Sequence, residues 1–298
     1  MLGYGVTVKL CESGWNVRAM GNEVLEREDF FPRNVEYVCG DFFDDSFLAS
    51  ALEGVDKVFF FISTTFPSTS KDSLELEITR TLYGLDYLLR KMRDMKVHEI
   101  VYPSSGGTVY GNLQDGVAKE ESVLRPITPY GVGKKMCEDI LEYYTQFGIC
   151  ATIIRVGNVY GAPMHRTRAQ GVIDLFVQKA LRGEHVDVWD DALQSERDYI
   201  FYDDFSDAVA RIADYKPAGV DIYNLGSGVG TSLAEIIRII NINTKSELEV
   251  NMVREGSTSS IKRIVLDMSK FKEKTGWEPR YSIEDGIIAT IKLKKMHS

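Results

Sequence analysis

The chain has 298 residues, 44% of them apolar and 27% charged, enough to bury a substantial core in one large or two interlocked domains. A net charge of −9 and a pI near 5.1 argue against a general nucleic-acid surface, so any anionic ligand must meet locally placed cations. No stretch approaches the ~20 apolar residues of a membrane helix, and no basic-then-apolar leader opens the chain, so neither nucleic acid nor membrane is an expected partner.

An amphipathic run from Gly3 and Gly5 through Val6, Val8, Leu10 and Cys11 to Gly14 predicts a first helix, followed by a strand over 16–20. Val35–Cys39 is the next strand, ending on Gly40-Asp41, a dipeptide that also suits a plain strand-end turn. Residues 57–63, with Phe59, Phe60, Phe61 and Ile62, read as a fully buried strand. A long amphipathic helix follows over 72–95, with Leu82, Leu85, Leu88 and Leu89 on its core face. Further strands are expected over 99–102, 152–155, 186–190 and 262–267, and helices over 171–183, 208–215 and 270–277. Residues 223–231 read as a strand running into a Gly-rich turn. Cys11, Cys39, Cys137 and Cys150 lack paired spacing and are expected as buried thiols in a reducing, cytoplasmic setting. His98, His165, His185 and His297 fall singly, as surface or loop residues, and no metal site is expected.

The most specific signal lies between Ser104 and Lys134. Ser104-Ser105-Gly106-Gly107-Thr108-Val109-Tyr110-Gly111 follows a strand, and Pro129-Tyr130-Gly131-Val132-Gly133-Lys134 opens a helix. Tyr130 and Lys134 are four apart and share a helix face. Free tyrosine titrates near pH ~10, and a cation nearby favours the phenolate, so Lys134 is expected to lower the Tyr130 pKa and make it a proton acceptor and donor. A bare Tyr-x-x-x-Lys is weak, but here it follows a strand end, where open α/β sheets bind ligands.

Seven motifs in order carry a resemblance: Gly40-Asp41; Ser104-Ser105 through Gly111; Pro129-Tyr130 with Lys134; Arg155 through Asn158-Val159-Tyr160-Gly161; Arg197-Asp198-Tyr199 with Asp203-Asp204; Tyr223 through Gly228; and Gly276-Trp277-Glu278-Pro279. On these the chain resembles the extended short-chain dehydrogenase/reductases, in their nucleotide-sugar epimerase and dehydratase branch. The resemblance implies an α/β fold with a Rossmann-type doubly wound parallel sheet and a smaller C-terminal α/β lobe for substrate. It places the dinucleotide domain over 1–160 with 197–227 returning to it, and the substrate lobe over 161–196 and 228–298.

Carried over residue by residue, it implies cofactor contacts from Gly3, Asp41, Phe42, Ile62, Ser63, Ser104, Tyr130 and Lys134, and substrate contacts from Asn158, Arg197 and Arg254. Arg166 and Arg168 also fall in the substrate lobe. NAD is the expected coenzyme, and NADP stays open because Gly21-Asn22 replaces the acidic residue that signals NAD. Arg18 and Arg27 lie nearby and suit a solvated surface equally well. A homodimer is expected by the same resemblance, through the helices of 72–95 and Tyr130.

Three departures stand out. The family's first strand and two glycines of its turn are missing before Gly3; the expectation is a mis-set start or a truncation of about ten to fifteen residues, leaving neighbouring sheet edges unpaired. The family's asparagine near Thr81 is absent. Gly106 occupies the place of a Ser or Thr hydroxyl, leaving Thr108, slightly preferred, or Ser105 to supply it. Gly107-Thr108 also stands where dehydratases and decarboxylases carry a glutamate, so no acid is offered to a leaving hydroxyl. The expected reaction is therefore epimerisation of a nucleotide-diphosphate sugar at C4, by oxidation and hydride return. An NADPH-dependent carbonyl reductase and a non-catalytic dinucleotide sensor are the alternatives.

Overall fold

The computed structural model describes residues 2–23, 31–63, 74–163, 171–189, 192–253 and 261–296. Arg27, His165, Arg166, Arg168, Arg254 and His297 lie outside the described residues.

The chain opens with α1 (Leu2–Glu12), β1 (Val17–Gly21), β2 (Val35–Cys39), α2 (Asp45–Leu52) and β3 (Lys57–Phe59). Asp44 starts α2 by accepting from the Phe47 amide at 2.8 Å, satisfying one of the donors a helix N-terminus leaves open. The expected long helix is three pieces: α3 (Leu74–Leu76), a six-residue π-helical turn (Glu77–Leu82), and α4 (Tyr83–Asp94). Then come β4 (Glu99–Ser105), β5 (Val117–Ala118) and α5 (Pro129–Tyr144), whose start is fixed by Thr128, accepting from the Gly131 amide at 3.1 Å, and by Pro129 in the first turn.

The second half runs β6 (Cys150–Val156), β7 (Asn158–Tyr160), α6 (Val172–Arg182), β8 (Val186–Trp189), β9 (Glu196–Phe201), α7 (Tyr202–Arg211), β10 (Val220–Leu225) and β11 (Gly230–Ser232). It ends with α8 (Leu233–Thr244), β12 (Val250–Val253), β13 (Arg263–Leu266), α9 (Ser269–Thr275) and α10 (Ile283–Met296). Ser232 caps α8 by accepting from the Glu235 amide at 3.2 Å.

These elements form two compact units. The first comprises Met1–Ser104, Thr128–Ile154 and Ser206–Tyr223, the second Ser105–Ile127, Arg155–Phe205 and Asn224–Ser298. Their boundaries differ from the 1–160 and 197–227 partition, in that 105–127, 155–160, 197–205 and 224–227 belong to the second unit.

In the first unit β1 pairs in parallel with β2, and β3 in parallel with β4, which continues through β6 to β10. Among the described residues no strand joins β1 to β3. That open edge explains a correction: the run 57–63 is not a fully buried strand. Only 57–59 pair as a strand, all half-buried, and Ile62 is 42% exposed. The core lies instead between the sheet and α4 and α5. Leu85, Leu88, Leu89 and Met92 are buried there with Cys137, Leu141 and Ile153, each large aliphatic contributing about 1.5–3 kcal/mol. Leu82 joins them, so the four leucines expected on the helix face are core.

In the second unit β9 organises the sheet. Its first half pairs with β11 and β13, its second half with β7, and β13 continues to β5. A separate parallel pair, β8 with β12, packs with α6, α8 and α10 around Val177, Ile236 and Ile287. Of the four cysteines, Cys11 and Cys137 are buried, but Cys39 is exposed and Cys150 half-buried, because Cys39 ends a strand of a two-stranded sheet. All four are free thiols. Among the described residues no helix is long and apolar enough to cross a membrane.

Candidate active site

α5 carries Tyr130 in its first turn and Lys134 one turn on, so the helix that Thr128 and Pro129 start brings the two residues together. The Lys134 Nζ lies 5.7 Å from the centre of the Tyr130 ring. It does not hydrogen-bond the Tyr130 hydroxyl. Its protons go to the Tyr102 hydroxyl at 3.2 Å and the Pro103 carbonyl at 2.9 Å, both on β4.

The electrostatics correct the expected sign. Burial pushes the Tyr130 phenol well above its ordinary value, and the Glu77 carboxylate pushes it further. Burial pulls Lys134 down, opposed by Cys137, Glu77 and Glu138. The net shift of Tyr130 is therefore upward despite Lys134, because desolvation and the buried Glu77 carboxylate dominate. Without ligand, Tyr130 is a phenol at neutral pH.

The residues expected on the cofactor side also belong to the first unit. Gly3 sits in the first turn of α1, a turn with no acidic side chain. Asp41 is exposed and turns one carboxylate oxygen back to the Phe43 amide at 3.0 Å. Phe42 packs edge-on to Phe43 and against Phe60. Ile62 and Ser63 follow β3. Ser104 is buried, with its hydroxyl donating to Glu138 at 2.5 Å, so its side chain supports α5. Arg18 is engaged by Glu36 at 2.8 Å and by the carbonyls closing α2, which makes it a structural cation rather than a phosphate clamp.

A dinucleotide fits what is present. Lys134 uses two of its three protons, and the Tyr130 hydroxyl makes no hydrogen bond among the described residues, so both keep polar capacity for a ribose and a substrate oxygen.

The second unit holds the Gly-rich turn and the substrate residues. Ser105 and Thr108 are half-buried, and the Thr108 hydroxyl reaches only its own turn, the Ser105 carbonyl, at 3.5 Å. Gly106 has a physical reason: a Cβ there would lie 2.7 Å from a Leu266 methyl and 2.9 Å from the Arg155 carbonyl. Hence a side chain at 106 would force Leu266 or the turn to shift. Gly106→Ser is expected to cost about 1–3 kcal/mol of stability by overpacking, read as a lower thermal midpoint, without raising activity. An unchanged midpoint would show that the turn has room.

Asn158 lies beside Gly107, with its amide donating to the Asp198 carbonyl at 3.0 Å. Arg197 on β9 is half-buried, and its one side-chain hydrogen bond among the described residues is to the Glu196 carbonyl at 3.0 Å. No carboxylate pairs with it among the described residues, and burial pulls its pKa down. Asp198 is buried and accepts from the amides of Leu266, Ser227 and Gly228 and from the Ser227 hydroxyl, with burial raising its pKa to about 6. It ties β9 to β13 and to the Gly-rich turn, which is consistent with reading that turn as structural. Arg254 lies outside the described residues.

Glu77, Tyr102 and Glu138 surround Lys134 and went unnoticed in the sequence. Glu138 carried a usable signal, four residues beyond Lys134 on the same face. Glu77 did not, standing among the other acids of its helix.

A sequence model described as the NAD dependent epimerase/dehydratase family matches residues 1–226. A UDP-glucose 4-epimerase of Mycolicibacterium smegmatis is 29% identical over 280 residues, covering 93% of this chain and 87% of its own. A dTDP-4-dehydro-6-deoxyglucose reductase of Escherichia coli is 28% identical over 231 residues, covering 77% of this chain and 72% of its own. The crystal structure of the Thermus thermophilus UDP-glucose 4-epimerase in complex with NAD matches at 25% identity and a TM-score of 0.86, covering 99% of this chain and 96% of that one.

Proposed function

Because the chain belongs to the NAD-dependent epimerase/dehydratase family, we propose that it is a nucleotide-diphosphate-sugar 4-epimerase. One observation carries this reading. An unengaged phenol stands beside a buried ammonium, while the 104–111 segment offers hydroxyls and no carboxylic acid. Oxidation at a carbinol carbon needs only a base for the hydroxyl proton, whereas elimination of water needs an acid for the leaving group.

NAD, when bound, supplies the hydride acceptor and a positive ring that favours the phenolate. Tyr130 takes the C4 hydroxyl proton and later returns it. Lys134 remains the cation of the site, held by Tyr102 and Pro103, with a proton to spare for a ribose hydroxyl. Thr108 or Ser105 donates a hydrogen bond to the sugar oxygen. Arg197 and Asn158 hold the diphosphate, and that grip lets the sugar turn over between the two hydride transfers.

The test is incubation of the chain with UDP-, dTDP- and GDP-sugars with no coenzyme added. Interconversion of 4-epimers is expected. Net consumption of added NADPH with reduction of a keto-sugar would favour the second reading, a reductase, to which the likeness to the E. coli enzyme lends weight. Within the epimerase reading, Thr108→Ala is expected to lower kcat at least about 10-fold and Ser105→Ala less, since a hydrogen-bond donor to the reacting oxygen is worth about 1–3 kcal/mol. Normal turnover in both variants would remove the hydroxyl from the mechanism.

A further inference from the structure

Beneath the Tyr130–Lys134 pair lies a carboxylate that the mechanism above does not use. Glu77 opens the π-helical turn that interrupts the helix before α4, and it is completely buried. A π turn admits an extra residue and commonly marks a site where a side chain must be redirected. Here the turn packs on α5, and the fit is close. A Cβ on Gly133 would lie 2.8 Å from a Glu77 carboxylate oxygen and 2.9 Å from its Cβ. The glycine between Tyr130 and Lys134 thus leaves the space that the Glu77 side chain fills. Thr81, one turn along, orients the carboxylate by donating to it at 3.2 Å.

We propose that Glu77 is a positioning residue acting on the Tyr130–Lys134 pair, a buried carboxylate seated against the glycine between them. The inference rests on the reading of Tyr130 as the acid–base group. The other groups facing the pair are Tyr102 on β4 and Cys137 and Glu138 on α5. Tyr102 is buried and neutral, Cys137 is a thiol pushed up by burial, and Glu138 is engaged by the Ser104 hydroxyl. The charge of the Glu77 carboxylate raises Lys134, Tyr130 and Cys137, whereas Glu138 acts on Lys134, Cys137 and Tyr102. The sign is definite: removing that charge lets Lys134 lose its proton at lower pH and lets Tyr130 ionise at lower pH.

The experiment follows the Lys134 side-chain resonance of the full chain, labelled with carbon-13 and nitrogen-15 lysine and assigned by its loss in Lys134→Met. In Glu77→Gln its titration midpoint is expected to fall by about one pH unit, and in Glu77→Asp, which keeps the charge but withdraws it, by less. The Glu77→Asp arm also decides the matter alone should the Gln variant fail to fold. A purely structural role predicts a lower thermal midpoint with the lysine titration unmoved, and that result in both variants would overturn the proposal. In turnover, the kcat/KM profile of Glu77→Gln moves to lower pH on both limbs. A shifted lysine midpoint in a protein that turns over no nucleotide sugar would end the epimerase reading and leave the action of Glu77 on Lys134 standing.

Discussion

Tyr130→Phe is expected to lower kcat about 1,000-fold with little change in thermal stability. A positioned acid–base group supplies about 10²–10⁴ in rate, and no other side chain of α5 combines a free hydroxyl with a neighbouring ammonium. Stability should hold because the lost oxygen makes no hydrogen bond among the described residues, so no buried partner is orphaned. Tyr110→Phe is the contrast. That hydroxyl donates to Asn224 at 2.6 Å and accepts from Arg155 at 3.1 Å, so its loss takes one partner from each of two buried polar groups and should lower the thermal midpoint. Initial rates and melting curves of the two variants separate chemistry from packing. Wild-type kcat in Tyr130→Phe would mean that another group moves the proton.

The second large effect is expected from Arg197→Ala, which should raise the KM for the nucleotide sugar about 100-fold and leave NAD affinity unchanged. A charge-assisted hydrogen bond from a guanidinium to a diphosphate is worth about 1.5–3 kcal/mol, and 100-fold corresponds to about 2.7 kcal/mol. Arg197 suits the role because it is already half-buried and has no carboxylate to give up among the described residues. Arg280 is a cation of the opposite kind, committed to Asp203 at 2.9 Å and to Asp204 at 3.3 Å, and its removal should disturb the fold instead. Arg197→Lys should recover part of the affinity, since an ammonium keeps the charge but loses the planar fork. Substrate titration with coenzyme binding measured in parallel checks this. Unchanged substrate affinity would take Arg197 out of the site.

What could be read from the sequence followed from local pattern. Val35–Cys39 has the bounds expected from its composition, and the Tyr130–Lys134 face follows from helical spacing together with Pro129 and Thr128. The departure at Gly106 was visible too. Its cause was not, because Leu266 and the Arg155 carbonyl reach that turn only through the sheet. The strand after Lys57 is shorter than its composition suggests, since composition cannot tell that one edge of β3 lacks a strand partner among the described residues. The π turn and the direction of the Tyr130 shift were hidden for one reason. Both come from tertiary packing: burial sets the direction of the Tyr130 shift, and Glu77, which in sequence looks like any other acid on a helix, adds to it and in the fold is sealed against Gly133.

The central claim is that a hydride leaves C4 of a sugar and returns to the same carbon. UDP-glucose carrying deuterium at C4 tests it directly, incubated with the chain without added coenzyme and followed by mass spectrometry of the galactose and glucose epimers. The account predicts 4-epimer product that retains the deuterium at C4. Washout of the label to solvent or its transfer to a free coenzyme pool would contradict it, as would the absence of any epimer.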